Sequence, residues 1–282
     1  MQIRDYSLPR GWFPHDAGAV TEFLSNFPRL QTAGQAAIVP HAGWYYSGRL
    51  AALGAASLKP DAETIIVLGG HLSAGAPALF AAEDAVKTPF GHLLIDAALR
   101  QNMIKELDGA EDCYRDNTIE VLLPMVHYFF PKASLLWLRL PAEIESFEAG
   151  KTLSRIAAKL GRKVNVLAST DLTHYGSNYG FSPKGSGKAA LTWVREVNDA
   201  AFIKAVEAGD SAEVLRRAER EHSACSPGAV LGVMGFAEAQ GLGSAQLLEY
   251  ATSVDVTSTD IKTDDEIPGS FVGYAAFTFD KQ

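Results

Sequence analysis

The chain has 282 residues, 47% apolar and 21% charged. These are ordinary globular values that exclude a disordered or collagen-like chain. Lys and Arg total 25 against 33 Asp and Glu, a net charge of −8, and such a field repels phosphate backbones and anionic membranes, so neither is an expected partner.

The start of the chain, MQIRDYSLPRGWF, carries Arg4 and Asp5 and no apolar run, so it does not read as a signal peptide. No stretch approaches the ~20 apolar residues of a membrane helix. The only cysteines are Cys113 and Cys225, too few for a disulfide framework, and a reducing, cytoplasmic setting is expected. Four Val-, Ile- and Leu-rich runs, 35–40, 64–69, 134–140 and 164–170, read as buried strands. Helical patterns lie between and after them at 47–58, 96–107, 119–130 and 147–160. The third carries Pro124 and is expected to be one buried, kinked helix. Strand and helix alternation implies parallel strands with right-handed crossovers.

The second half changes character. A Gly-, Ser- and Pro-rich loop at 177–188 precedes helical stretches at 189–208, from 212 onward, and at 227–240. Two alternating segments, 245–254 and 270–279, read as antiparallel or edge strands joined by an acidic loop, 255–269. No composition break marks a linker, and no repeat is present. The expectation is a single α/β domain over 1–282, with a largely parallel central sheet flanked by helices.

Histidine placement points to chemistry. His41 follows the first strand and His71 the second, while Asp171 and His174 follow the run at 164–170. Ligands of open parallel sheets bind beyond the carboxyl ends of the strands, so three strands deliver imidazoles to one edge. Asp171 and His174, three apart, would share a face on a helical turn. Cys225 stands just before a helical run in which Ser226 reads as N-cap and Pro227 as first residue. That position favours the thiolate, which binds metal or attacks an electrophile. Each residue alone has a bland reading, as a solvated strand-end histidine or a small buried cysteine. Cys113 reads as structural and His127 as a satisfied core histidine; His15, His92 and His222 lack strand-end placement. Gly185-Ser186-Gly187-Lys188 fails as a phosphate loop, because Ser182 and Ala189 stand where the pattern needs Gly and Ser or Thr. Neither G-x-G-x-x-G after a strand nor G-x-S-x-G occurs.

Taken in order, these residues resemble the Memo-like family, whose bacterial members are also called AmmeMemoRadiSam system protein B. The matching segments are Gly11-Trp12-Phe13-Pro14, Pro40-His41-Ala42-Gly43-Trp44-Tyr45-Tyr46-Ser47-Gly48, Leu68-Gly69-Gly70-His71, Thr88-Pro89-Phe90-Gly91, Thr118-Ile119-Glu120-Val121-Leu122-Leu123-Pro124, Ser169-Thr170-Asp171-Leu172-Thr173-His174-Tyr175-Gly176 and Val272-Gly273-Tyr274-Ala275-Ala276. The resemblance implies the fold of class III extradiol (LigB-like) dioxygenases, which open catechol rings with non-haem iron. It implies a pocket whose metal ligands are His41, His71 and Cys225, with iron or copper as the metal and zinc as a third candidate. Asp171 and His174 match further pocket residues. His174 is expected to act as general acid or base oriented by Asp171, or alternatively as a ligand with Asp171 behind it. Two departures stand out: Asn117 replaces the family's histidine in E-H-S-I-E, and Gly69-Gly70-His71 replaces its G-P-S-H turn.

The leading expectation is a metal-dependent, dioxygenase-type redox enzyme acting on a small-molecule substrate, aromatic by analogy with ring cleavage. The thiolate is softer than a carboxylate and favours copper(I) or zinc. Two alternatives remain: a non-enzymatic metal- or partner-binding protein on the same fold, and a Cys/His hydrolase using Cys225 with His174 and Asp171.

Overall fold

All four apolar runs lie side by side in one sheet of a computed structural model that describes residues 1–30, 34–257 and 267–281. In chain order the strands are β1 (Ile3–Arg4), β2 (Ala36–Val39), β3 (Thr64–Leu72), β4 (Leu79–Ala81), β5 (Ala85–Thr88), β6 (Gly91–Leu94), β7 (Ala110–Asp112), β8 (Ser134–Pro141), β9 (Val164–Ser169), β10 (His174–Gly176), β11 (Gln246–Thr252) and β12 (Ser270–Phe279). The central order β2-β9-β3-β8 is parallel throughout. Outside it the sheet is mixed. β12 runs antiparallel to β2 and to β11, β10 pairs antiparallel with the start of β12, and β4 runs antiparallel to β8 and parallel to β7. The two late segments are thus antiparallel as expected, but β12 is interior to the sheet. A small second sheet holds β1, β5 and β6.

Successive residues of the central strands enter opposite cores, because side chains alternate across a sheet. Ile38, Ile66, Leu68, Leu136, Leu138 and Val166 pack into one core with the helices Glu145–Lys159 and Pro227–Ala239. Val39, Ile65, Val67, Leu135, Trp137 and Leu167 pack into the other, against Trp44–Ala56 and Leu123–Phe129. Burial on both faces explains why these strands read as unbroken apolar runs.

The helical expectations hold with shifted ends, except for the stretch 119–130. It forms two helices, Asn117–Glu120 and Leu123–Phe129, with Pro124 in the first turn of the second. Proline has no N–H and its ring opposes the carbonyl four residues back, so it starts a helix here rather than kinking one. The stretch 189–208 is helical from Gly187 but includes a π-helical turn, Val194–Asp199. Of the acidic loop 255–269, residues 258–266 lie outside the described residues. No described helix is long and apolar enough to cross a membrane.

Candidate metal centre

β9 lies between β2 and β3, so the carboxyl ends of these three strands sit next to one another. His41 comes two residues after β2 and is 1% exposed. Its Nδ1 lies 2.9 Å from Ser169 Oγ at the end of β9. Ser169 has one hydroxyl proton and donates it to the Thr118 carbonyl at 2.6 Å. Ser169 therefore accepts from His41, the proton sits on Nδ1, and Nε2 is turned to Cys225 Sγ, 3.2 Å away.

His71 does not follow β3, as expected, but lies within it. The pairing of β3 with β8 shifts register between Gly69 and Leu72, and His71 takes a left-handed φ of 59°. This bulge swings the side chain out of the strand and toward the cleft. Two glycines make the bulge possible. A Cβ on Gly69 would stand 2.2 Å from Thr118 Oγ1, and one on Gly70 would stand 2.4 Å from Ser226 Cβ and 2.8 Å from its Cα. Gly70 thereby admits the start of the Pro227–Ala239 helix against the strand and seats Cys225 next to His71. His71 Nδ1 lies 3.0 Å from Asp116 Oδ2.

Cys225 Sγ also accepts the Asp171 N–H at 3.3 Å, and the Cys225 N–H donates to the Asp171 carbonyl at 3.2 Å. Ser226 occupies the N-cap position, as expected, and Pro227 opens the helix, but no side-chain cap bond forms. The Ser226 hydroxyl instead lies 3.6 Å from Cys225 Sγ.

His41, His71 and Cys225 each offer one donor atom, and the three lie within 4.8 Å of one another. Ligand atoms on opposite sides of an ion bonded at about 2.0–2.3 Å are at most about 4.6 Å apart, so the set fits one transition-metal ion after a small contraction. The electrostatics agree. Burial pushes the Cys225 thiol up, but the neighbouring His41 and His71 rings overrule it and hold it well below the ordinary thiol range. Burial pulls His71 down, but Asp116 and Cys225 raise it to about 10. Likewise His41 is raised, against burial, by Cys225 and Asp171. The cluster therefore favours a thiolate beside positively charged imidazoles, and a metal ion held there would supply that positive charge in place of their protons.

Asp171 is buried, and its Oδ1 accepts the backbone N–H groups of His41 (2.7 Å) and Ala42 (3.3 Å). Its Oδ2 faces two imidazoles, 3.7 Å from His174 Nε2 and 3.9 Å from His41 Nε2. These distances exceed a hydrogen bond, so the Asp171–His174 relationship is ionic. The segment is also no helical turn. Leu172 donates to the Gly273 carbonyl and Gly273 to the Thr173 carbonyl, which pulls residues 172–173 alongside β12, and β10 begins at His174. Burial lowers His174, but Asp171 and Cys225 outweigh it and raise it. Among the described residues, its Nε2 is a buried polar atom without a hydrogen-bond partner.

Above the cluster opens a cleft of about 700 Å³, lined by His41, His71, Asp171 and His174 and walled by Tyr45, Tyr46, Tyr179 and Trp12. Asn117 lines it too and donates to the His41 carbonyl at 3.0 Å. Several residues with a part in this arrangement have a role that the sequence alone does not show. Ser169 and Thr118 lay inside motifs but had no assigned partner, and Arg139 and Asp116 were not singled out. Arg139 is buried in β8 and grips Asp112 with two bonds, of 2.7 and 3.0 Å. Cys113 is exposed just past the end of β7, while Asp112 before it is buried against Arg139. His127 is satisfied by Thr88 Oγ1 at 2.6 Å, as expected.

The family model described as Memo-like protein matches residues 11–277. A MEMO1 family protein of Pyrococcus abyssi is 31% identical, over 96% of this chain and 97% of its own length. One of Pyrococcus horikoshii is 28% identical, over 97% and 98%. Among solved structures, an uncharacterized protein of Escherichia coli K12 matches with a TM-score of 0.47 at 12% identity, over 84% of this chain and 98% of its own. The match of the family model along nearly the whole chain, with the relative at 31% identity, places the chain in the Memo-like family.

Proposed function

We propose that this protein is a metal-dependent oxidoreductase of the dioxygenase type, holding iron or copper through His41, His71 and Cys225. The observation that carries the reading is the convergence of those three donors, within 4.8 Å, beneath an open cleft. His41, His71 and Cys225 would hold the ion, and a redox-active ion there would supply the electron transfer to O2 that the side chains cannot. The chain's own residues do the rest. Tyr45, Tyr46 and Tyr179 wall the cleft with aromatic side chains suited to a planar, aromatic small molecule. His174, with its Nε2 uncommitted and its charge favoured by Asp171, holds or delivers a proton at the side of the cleft. Asp171 keeps the His41 backbone in place through its other oxygen.

The test is the metal content of protein purified without chelators or a metal-affinity tag, measured by elemental analysis. One iron or copper per chain is the expected result. Stoichiometric zinc, or well-folded protein that neither carries nor takes up metal, overturns the redox reading.

A second reading has one specific observation in its favour. Cys225 Sγ lies 3.2 Å from His41 Nε2, as in a thiolate–imidazolium nucleophile pair. The base of a Cys/His hydrolase built here would then be His41, not His174.

A further inference from the structure

His71 has little to hold it. Its side chain is 32% exposed, its backbone sits on a bulge, and its ring meets His41 edge-on. The residue that limits it is Asp116, whose carboxylate is in turn committed on every side. Oδ1 accepts from the Thr118 N–H at 2.9 Å and from the Thr118 hydroxyl. Oδ2 accepts from His71 Nδ1 at 3.0 Å and faces Arg139 Nη1 at 3.2 Å. Arg139 cannot follow a moving partner, because it is 4% exposed and forked onto Asp112. Its Nη1 also reaches the Gly70 carbonyl at 3.4 Å, immediately before His71.

We propose that Asp116, clamped by Arg139, is the positioning residue that fixes the proton of His71 on Nδ1 and so presents Nε2 to the metal. The proposal rests on the metal-centre reading above. All the groups around Asp116 are donors: a backbone N–H, a hydroxyl, a guanidinium and an imidazole N–H. Only a carboxylate accepts from all of them. An acceptor locked at Oδ2 leaves His71 one tautomer compatible with a hydrogen bond, and that tautomer carries its lone pair on Nε2. The two imidazoles are thus set by different means. His41 leans on a neutral hydroxyl relayed to a carbonyl, and His71 leans on an anion that a buried guanidinium holds still.

The experiment is a zinc(II) titration of the metal-free full chain, followed by proton–nitrogen correlation of the histidine rings in the zinc-loaded protein. Zinc(II) is the probe because it is diamagnetic and binds the same donors. Asp116→Ala is expected to lose tenfold to a hundredfold in zinc affinity, and its His71 ring signals should show both tautomers while His41 keeps Nδ1–H. Asp116→Asn retains one acceptor oxygen and leaves the Arg139–Asp112 pair intact, so it guards against a folding defect. Its affinity should fall between those of Asp116→Ala and the parent. Parent-like affinity in both variants, with His71 still protonated on Nδ1, overturns the proposal. So does weakened binding with an unchanged His71 tautomer, which assigns Asp116 a purely structural part. Failure of the parent protein to bind zinc overturns the metal-centre reading itself, and is seen before any variant is made.

Discussion

His41 and Ser169 are joined by a hydrogen bond whose direction is set from elsewhere. Ser169 gives its only proton to the Thr118 carbonyl, so the bond of 2.9 Å must run from His41 Nδ1 to the hydroxyl. Ser169→Ala removes the acceptor and leaves a buried ring N–H unpaired. That costs about 1–3 kcal/mol in the fold, and loosening a partner of a metal-bound histidine typically weakens binding about tenfold to a hundredfold. Thermal unfolding with and without metal, alongside metal titration, measures both effects.

Alkylation separates the two readings of Cys225. If the thiolate is a ligand, metal-loaded protein should resist a thiol reagent, and the alkylated metal-free protein should no longer bind stoichiometric metal. Cys225→Ser should bind far more weakly for the same reason, since a hydroxyl is not a thiolate. Reaction at one rate with and without metal, with metal binding intact afterwards, would mark Cys225 as a nucleophile.

His174 lies on the cleft wall and its Nε2 stands 3.7 Å from Asp171. His174→Ala is expected to bind metal with near-parent affinity and to lose proton-dependent turnover once a substrate is in hand. Metal titration decides the first part alone: loss of stoichiometric binding would make His174 a ligand.

Gly70→Ala tests the seat of Cys225. The new Cβ would meet Ser226 at 2.4–2.8 Å, and one of those contacts is backbone. The start of the Pro227–Ala239 helix must then shift, which takes Cys225 from His71. Overpacking of this kind costs about 1–3 kcal/mol, and metal affinity should fall with it. Denaturant unfolding and metal titration of the variant check the two together.

Asp199 predicts a pH dependence of its own. It is fully buried in the π-helical turn, where its Oδ1 accepts from the Thr173 backbone and hydroxyl and its Oδ2 from the Tyr250 hydroxyl. Burial nonetheless raises it from 3.8 to about 6. Between those values the unfolded chain has released the proton and the folded chain retains it. Stability therefore falls as pH rises from near 4 through 6, and the whole cost, about 3 kcal/mol, is present above that. Asp199→Asn should flatten this slope, because Tyr250 can turn its hydroxyl to accept from the new amide. Denaturation midpoints between pH 4 and 7, parent against variant, provide the measurement.

The apolar runs at 35–40, 64–69, 134–140 and 164–170 were enough to define the parallel centre of the sheet, since a strand buried on both faces can be built from little else. Once those strands were placed, so were His41 and Asp171, which the chain delivers within two residues of a strand end. Short strands such as β1, β4 and β7 left no signal, because two or three residues show no period. The bulge at His71, the break before Pro124 and the inward Asp112 depend on what packs against them. So does the cluster itself. Cys225 and His41 are 184 residues apart, and the proton on His41 is decided by Ser169 and Thr118, which belong to two further segments. Residue types and strand ends are local properties and were legible one segment at a time. Which donors meet, and which nitrogen each histidine offers, follows from several segments closing on one point, and only the tertiary structure brings them there.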